Sequence, residues 1–445
     1  MKRSISLSLK AWKTDPERKP LLLRGARQVG KTYVLKEFGA AEFAHCHYVN
    51  FEEDSRLERL FEIDLNPQRI LNELQLYIER KIDFEKDLLI FDEIQRCPKA
   101  LTSLKYFCEK IPQLAICSAG SLLGVSLNRD SFPVGKVTFL DLHPMSFEEF
   151  LIGLEKDQLV DLLRDYGFST PLLEIAHEKL WELWKQYLII GGLPESVEIF
   201  RLSSNDPFEA YRKVRQIQKN LLDSYLSDIA KHSGKMNALQ IERLWRNVPL
   251  QLSQTLDGSA NKFQFKDAVP GHRGYERLSS PIAWLEKANL IIRNSIIERA
   301  EKPLMGYAKE NRFKLYFFDV GLLNAMTNIS PNTILNYGFG NYKGYIVENF
   351  VAEELKSAGL KDLFCWEGRT AEIEFVVEAN EKVFPIEVKS GNVTQSKSLN
   401  VFEERYHPEQ SFILSARNTE RSGTRIYIPV YLAGYLIKKL LSAEK

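Results

Sequence analysis

The sequence predicts an α/β protein in three parts: an N-terminal parallel sheet flanked by helices, a helical middle that ends in a winged helix, and an α/β C-terminal domain. Three observations carry this reading. Short apolar runs alternate with helix-patterned stretches from Lys19 to Asp141. A glycine-framed segment, Gly25-Ala26-Arg27-Gln28-Val29-Gly30-Lys31-Thr32, follows the first apolar run and opens a helix pattern. Far downstream, Glu372-Ile373-Glu374-Phe375-Val376-Val377 and Val383 to Lys389 read as a hairpin turning at Asn380.

The strands expected in the first part are Pro20 to Arg24, His47 to Phe51, Leu88 to Phe91, Leu114 to Ala119 and Val137 to Leu142. Each is a short, nearly continuous apolar run, as strands covered on both faces are. Helices are expected after Lys31, before Lys81 and over Ala100 to Lys110. Ser146 and Glu149 have the spacing of a capping box before a new helix. Glu155 to Leu188 then reads as mostly helical, with a break at Gly167 to Pro171 and a stop at Gly191-Gly192-Leu193-Pro194. Pro207 to Lys231 gives another helix. Helices around Leu244 and Trp284, then strands at Leu290 to Ile297 and Phe313 to Phe318, add up to three helices and a two-stranded wing. Asn328 to Gly340 reads as a linker. At 445 residues the chain exceeds what one core supports, so several domains are expected. They are residues 1–155 around the glycine-framed segment, 156–237 as a helical, lid-like region, 238–327 as a winged-helix-like region and 341–445 as the last domain.

Lys and Arg number 60 against 59 Asp and Glu, for a formal charge of +1, so any affinity for nucleic acid has to be local. The five cysteines include no Cys-x-x-Cys pair, which argues against a zinc ribbon or disulfide framework and for reduced thiols. No window approaches the ~20 apolar residues of a membrane span, and Met1 to Lys10 lacks the apolar stretch of an export signal. The expectation is a cytoplasmic protein without membrane contact.

A loop of backbone amides feeding a helix N-terminus supplies the donors that phosphates need. Gly25 and Gly30 permit the tight wrap, with Ala26, Arg27, Gln28 and Val29 between them. Lys31 is placed to reach the β- and γ-phosphates and the Thr32 hydroxyl to ligate Mg²⁺. Leu88-Leu89-Ile90-Phe91-Asp92-Glu93 is the other half of such a site, a buried strand with two carboxylates at its tip. Asp92 is expected to hold Mg²⁺ and Glu93 to orient the attacking water. Together these segments imply an ATP site. The next strand ends in Ser118-Ala119-Gly120-Ser121, and Ser118 or Ser121 is placed to sense the γ-phosphate.

The loop, Ile90-Phe91-Asp92-Glu93-Ile94-Gln95, the Ala119-Gly120-Ser121 turn and His143-Pro144-Met145-Ser146-Phe147 resemble the predicted prokaryotic AAA-type P-loop ATPases. The resemblance continues through Lys314-Leu315-Tyr316, Asp319, Gly321-Leu322-Leu323 and Pro385-Ile386-Glu387-Val388-Lys389-Ser390-Gly391. It implies an ATPase module joined through a winged helix to a restriction-endonuclease-like domain. It also implies an arginine supplied by a neighbouring subunit or a partner, with Arg129 the nearest candidate in this chain and Lys136 standing where relatives often carry Arg.

Strand alternation puts Glu387 and Lys389 on one face, with Glu374 on the facing strand and Glu348 on the inward side of an upstream helix. Carboxylates converging with a lysine suit a divalent metal and the water it activates. The pattern resembles that of metal-dependent nucleases, in which Glu348, Glu374 and Glu387 would be ligands and Glu374, Glu387 and Lys389 catalytic. Glu374 departs from it, since an Asp is usual there.

Residues 241–300 carry nine cations against six anions, and Arg273 and Arg277 flank the start of the candidate recognition helix. Winged helices lay such a helix in DNA, and they also serve as spacers between proteins. His45-Cys46-His47 alternates faces on a strand, which predicts one packed and one exposed imidazole rather than a metal site. Two functions follow: an ATPase switch driving a nuclease-like module on DNA, or a nucleotide-dependent interaction protein whose last domain is catalytically silent.

Overall fold

A computed structural model describes residues 1–121, 133, 135–203, 206–232, 235–252, 262–271, 274–338, 340, 342–391 and 396–442. The chain forms two compact units, Met1–His143 with Lys287–Asn289, and Pro144–Glu286 with Leu290–Lys445.

The first unit is built on a five-stranded parallel sheet of β1 (Leu21–Arg24), β2 (Cys46–Asn50), β3 (Leu88–Asp92), β4 (Ala115–Ala119) and β5 (Thr138–Asp141), in the order β2-β3-β4-β1-β5. The central strands are apolar because both faces are covered: every residue of β3 and β4 is buried. Helix Pro67–Tyr77 starts where Pro67 presets the first turn and the Asn66 side chain accepts the Gln68 N–H. On one side of the sheet Phe91 stands edge-on to Phe51, Phe61 and Phe107, with centroids 5.6 to 6.4 Å apart.

The second unit carries a mixed eight-stranded sheet in the order β12-β13-β11-β10-β9-β8-β6-β7. Its strands are β6 (Ile291–Ile297), β7 (Ala308–Phe317), β8 (Leu363–Glu367), β9 (Glu372–Ala379), β10 (Lys382–Val388), β11 (Ser411–Ser415), β12 (Glu420–Ser422) and β13 (Arg425–Pro429). The two strands expected as a wing do pair antiparallel, but β6 also pairs in parallel with β8. They are therefore one end of the C-terminal sheet rather than a free wing. The reason lies in β6 itself, where Ile291, Ile292, Ile296 and Ile297 are all buried and require cover on both faces. The segment expected as a linker contains a short helix, Pro331–Leu335, capped by Ser330, with Ile334 buried.

The first compact unit runs to His143. Ser146 closes its capping box with Glu149, and the Phe147 ring behind it packs on Tyr187 and Tyr431 of the second unit. The boundaries expected near residues 238, 327 and 341 lie inside this unit. Helix Glu174–Ile190 stops at Gly191, whose φ of 75° suits glycine, and a Cβ there would stand 2.3 Å from the Asp319 carboxylate. Asp319 caps helix Val320–Met326 through the Leu322 N–H at 2.9 Å and takes the Gly192 N–H at 2.7 Å. One buried turn thus joins two segments 127 residues apart in the chain.

Glu354 is buried beside this turn's elements and accepts the Phe147 N–H at 2.7 Å. Burial pushes its carboxyl up to about 7, with Glu149 and Glu148 adding to the rise. Its folded value lies above the unfolded one, so its contribution to stability is complete below about pH 4.5 and is lost as pH rises through about 7. Glu354→Gln keeps an acceptor for the Phe147 N–H and removes the titration. The variant is expected to lose less stability than wild type between pH 5 and pH 8, by on the order of 3 kcal/mol. Denaturant melts at the two pH values check this, and parallel pH dependences in both proteins would contradict it.

Candidate functional site: a phosphate loop and an acidic strand tip

At the C-terminal edge of the first sheet, β1 runs into the loop Gly25–Gly30 and then helix Lys31–Glu42. Gly25 adopts φ 154° and Gly30 φ 96°, and a Cβ on Gly25 would stand 2.2 Å from the Leu142 carbonyl oxygen. Only glycine fits there. Gln28 is also left-handed, at φ 59°, which folds the loop back over its own helix.

Lys31 is buried and its ammonium donates to the loop carbonyls of Gly25 at 3.1 Å and Ala26 at 2.7 Å. Burial pulls it down to about 8, against the pull of Glu93 and Asp92, while Arg27 adds to the fall. A polyphosphate in the loop would supply the anion this ammonium lacks. Thr32 donates its hydroxyl to Asp92 Oδ2 at 2.6 Å, bringing together the two side chains expected at Mg²⁺. A hydroxyl in the first turn of a helix and a carboxylate at a strand tip are hard oxygen donors, and this donor set fits that ion. Asp92 also accepts the Tyr48 hydroxyl at 2.9 Å and the Glu93 N–H at 2.9 Å.

Glu93 sits at φ 49°, where β3 turns into the short helix Ile94–Arg96. Its carboxylate accepts from the Gln95 amide. Burial raises the Glu93 carboxyl above its ordinary value, with Gln95 opposing the rise. A raised carboxyl beside a phosphate loop suits a group that must take a proton. Ser118 and Ser121 are both buried, and Ser118 Oγ makes no hydrogen bond. Arg129 and Arg273 lie outside the described residues. Lys136 pairs with Glu109 at 3.2 Å.

Two contributors had no legible signal in the sequence. Arg3 donates to the Val29 carbonyl at 2.8 Å and the His143 carbonyl at 2.7 Å, tying the loop to the chain after β5. Tyr48 reaches Asp92 because β2 and β3 pair with Tyr48 opposite Ile90, a register no local pattern reveals. His47 is buried and His45 exposed, the packed and exposed pair expected. Two positions apart in the chain they nonetheless share a side, and both imidazoles meet one carboxylate, Asp87, His47 at 2.9 Å and His45 at 3.2 Å.

In the second unit the expected C-terminal residues do come together. Glu374, Glu387 and Glu348 are buried. Burial pushes the Glu374 carboxyl well above its ordinary value, and Glu387 and Glu348 push it further, against Lys389 and Lys314. Each acid is already engaged: Glu387 by Lys389 at 2.5 Å, Glu374 by the Val388 N–H at 3.0 Å, and Glu348 by the Tyr316 hydroxyl at 3.0 Å and the Lys314 ammonium at 3.6 Å. Among the described residues no three His, Cys, Asp or Glu side chains are placed to hold a metal ion. The donors for Mg²⁺ expected here therefore converge without forming a coordination site. In the sequence Lys314 stands out only as part of the Lys314-Leu315-Tyr316 segment, with no local sign that this strand lysine turns inward.

A parallel sheet with β1 between β4 and β5, a phosphate loop after β1 and paired carboxylates at the tip of β3 define the N-terminal unit as an AAA-type P-loop ATPase fold. Residues 17–151 match the model of the AAA domain family. Residues 181–333 and 343–433 match two domains of unknown function, DUF8612 and DUF4143. Among solved structures, the Walker-type ATPase paby2304 of Pyrococcus abyssi is 17% identical, over 72% of this chain and 94% of that one, with a TM-score of 0.44. The Aeropyrum pernix ORC1 protein in complex with DNA is 14% identical over 73% and 90%, with a TM-score of 0.30. AMPPCP-bound DnaA from Aquifex aeolicus is 14% identical over 54% and 77%, with a TM-score of 0.29. These likenesses are too distant to bear on function. No curated protein matches the chain. No described helix is long and apolar enough to cross a membrane.

Proposed function

We propose that the chain is an ATP-hydrolysing switch, acting in the cytoplasm, whose nucleotide state controls the second unit. The observation that carries this is the Thr32 hydroxyl on the Asp92 carboxylate at 2.6 Å, beside a buried lysine that donates to two loop carbonyls. In this reading the amides of Gly25 to Thr32 wrap the phosphates and Lys31 swings from its carbonyls onto the β- and γ-oxygens. Thr32 and Asp92 would hold Mg²⁺, which would supply positive charge to the phosphate oxygens. Glu93 orients the attacking water and accepts its proton, with Ser121 or Ser118 reading the γ-phosphate. A second copy of the chain or a partner supplies the arginine.

The macromolecule on which the switch acts is proposed to be DNA, on the cationic excess of residues 241–300. Arg277 is exposed there, whereas Arg246 pairs with Glu242 at 3.0 Å and Arg293 lies over the Phe313 ring at 4.3 Å. The second reading, an interaction protein with a silent nuclease-like domain, is favoured by the engaged state of Glu348, Glu374 and Glu387. Phosphate release from ATP, measured alone and with duplex DNA, single-stranded DNA and RNA, separates them. The switch on DNA predicts Mg²⁺-dependent turnover that duplex stimulates. Turnover indifferent to all three nucleic acids selects the interaction protein, and no turnover in Mg²⁺ under any condition overturns the ATP-hydrolysing switch.

A further inference from the structure

We infer that the ammonium of Lys314, paired with Glu348 and Glu372, stands at the edge of the carboxylate cluster of the second unit in place of a divalent cation, so that the cluster takes up no metal. This deepens the silent-domain reading and rests on it. Oxygen ligands must gather within about 2.0 to 2.6 Å of an ion, with lone pairs free to point at it. Here Glu387 and Glu348 each pair with a lysine and Glu374 takes the Val388 N–H, while Glu387 Oε2 is buried without a hydrogen bond.

The cation comes from an unexpected direction. Lys314 lies on β7, at the opposite end of the sheet segment from β10, and shares a strand face with Tyr316 two positions on. Both reach Glu348 on helix Tyr342–Ser357, Tyr316 at 3.0 Å and Lys314 at 3.6 Å. Lys314 also pairs with Glu372, two positions before Glu374 on β9. On the neighbouring strand β6, Asn294 donates to the Glu374 backbone carbonyl at 3.0 Å, which ties β9 to this end of the sheet. The Lys314 side chain is 1% exposed, whereas that of Lys389 is 31% exposed. A lysine buried this deeply is costly unless anions surround it, and an apolar residue would serve packing better. Its presence is accounted for by the carboxylates it neutralises. An ammonium gives charge and hydrogen bonds but no coordinated water of lowered pKa, so the network lacks what metal-assisted hydrolysis needs.

The test is Mn²⁺ binding to the full chain, read by the electron paramagnetic resonance of free Mn²⁺, in an Asp92→Asn background that removes the nucleotide-site donor. With Lys314 present, no stoichiometric binding is expected up to about 1 mM. Lys314→Met is expected to bind one Mn²⁺ at least tenfold more tightly, and adding Glu348→Gln should remove that binding. A folded Lys314→Met chain that binds no Mn²⁺ overturns the assignment of Lys314 while leaving the domain silent. Mn²⁺ binding by the Lys314 chain that Glu374→Gln abolishes, with DNA nicking lost in Lys389→Ala, overturns the silent-domain reading itself. If Lys314→Met does not fold, Lys314→Arg keeps the charge and is expected to remain metal-free, and Mn²⁺ uptake by it overturns the inference.

Discussion

Lys31→Ala is expected to weaken ATP binding about a hundredfold or more, because it removes the cation placed to meet the β- and γ-phosphates, and charge-assisted contacts of this kind contribute about 1.5 to 3 kcal/mol each. The fold should survive. In the absence of nucleotide the Lys31 ammonium is buried and bonded to the Gly25 and Ala26 carbonyls, and burial already pulls its pKa down to about 8. Deleting it removes a group that is poorly satisfied until phosphate arrives, so melting temperature without ATP should change little. Stabilisation of the melt by added ATP should vanish with the affinity. Submicromolar affinity retained in the variant would place the nucleotide elsewhere.

Glu93→Gln is expected to bind ATP as wild type does and to hydrolyse it about 10² to 10⁴ times more slowly, the range that a positioned general base contributes. The amide keeps the shape and can still meet Gln95, but it cannot take a proton from water. The contrast with Lys31→Ala is the diagnostic. One variant loses binding and the other loses only the chemical step, which single-turnover hydrolysis at saturating ATP separates from affinity. Wild-type turnover in Glu93→Gln would move the base to another residue.

The parts of the fold legible in the sequence are those where local pattern and local chemistry coincide. The strands around Leu21–Leu23 and Leu88–Phe91 read correctly because a strand buried on both faces is a continuous apolar run. The Ser146 and Glu149 capping box, the Gly191 helix stop and the turn after Ala379 are likewise set by residues within a few positions of one another. Strand order is not of that kind. Nothing within β6 and β7 tells a wing from the end of a larger sheet, because the parallel pairing with β8 joins residues about seventy positions apart. The same limit hid Arg3, Tyr48 and Lys314, each of which meets its partner across a long loop of chain. For Lys314 the local signal even misleads, since a lysine between Phe313 and Leu315 reads as the solvent face of an alternating strand. Its neighbours Glu348 and Glu372 are what turn that face inward.

The wing's incorporation into the larger sheet also bears on how the proposed switch would work. Strands β6 and β7 cannot swing as an independent module without breaking their pairing to β8, so a response of the second unit to nucleotide is expected to involve its sheet and covering helices together. Hydrogen exchange with and without ATP should then alter protection in β6, β7 and β8 as a group rather than in the first two alone.

The most direct measurement of the central claim is a calorimetric titration of the full chain with a non-hydrolysable ATP analogue in Mg²⁺. The account predicts a single site per chain whose heat disappears in Lys31→Ala and persists in Glu93→Gln. An isotherm unchanged by Lys31→Ala, or no binding by the wild-type chain, would contradict the assignment of the Gly25 to Thr32 loop as the nucleotide site.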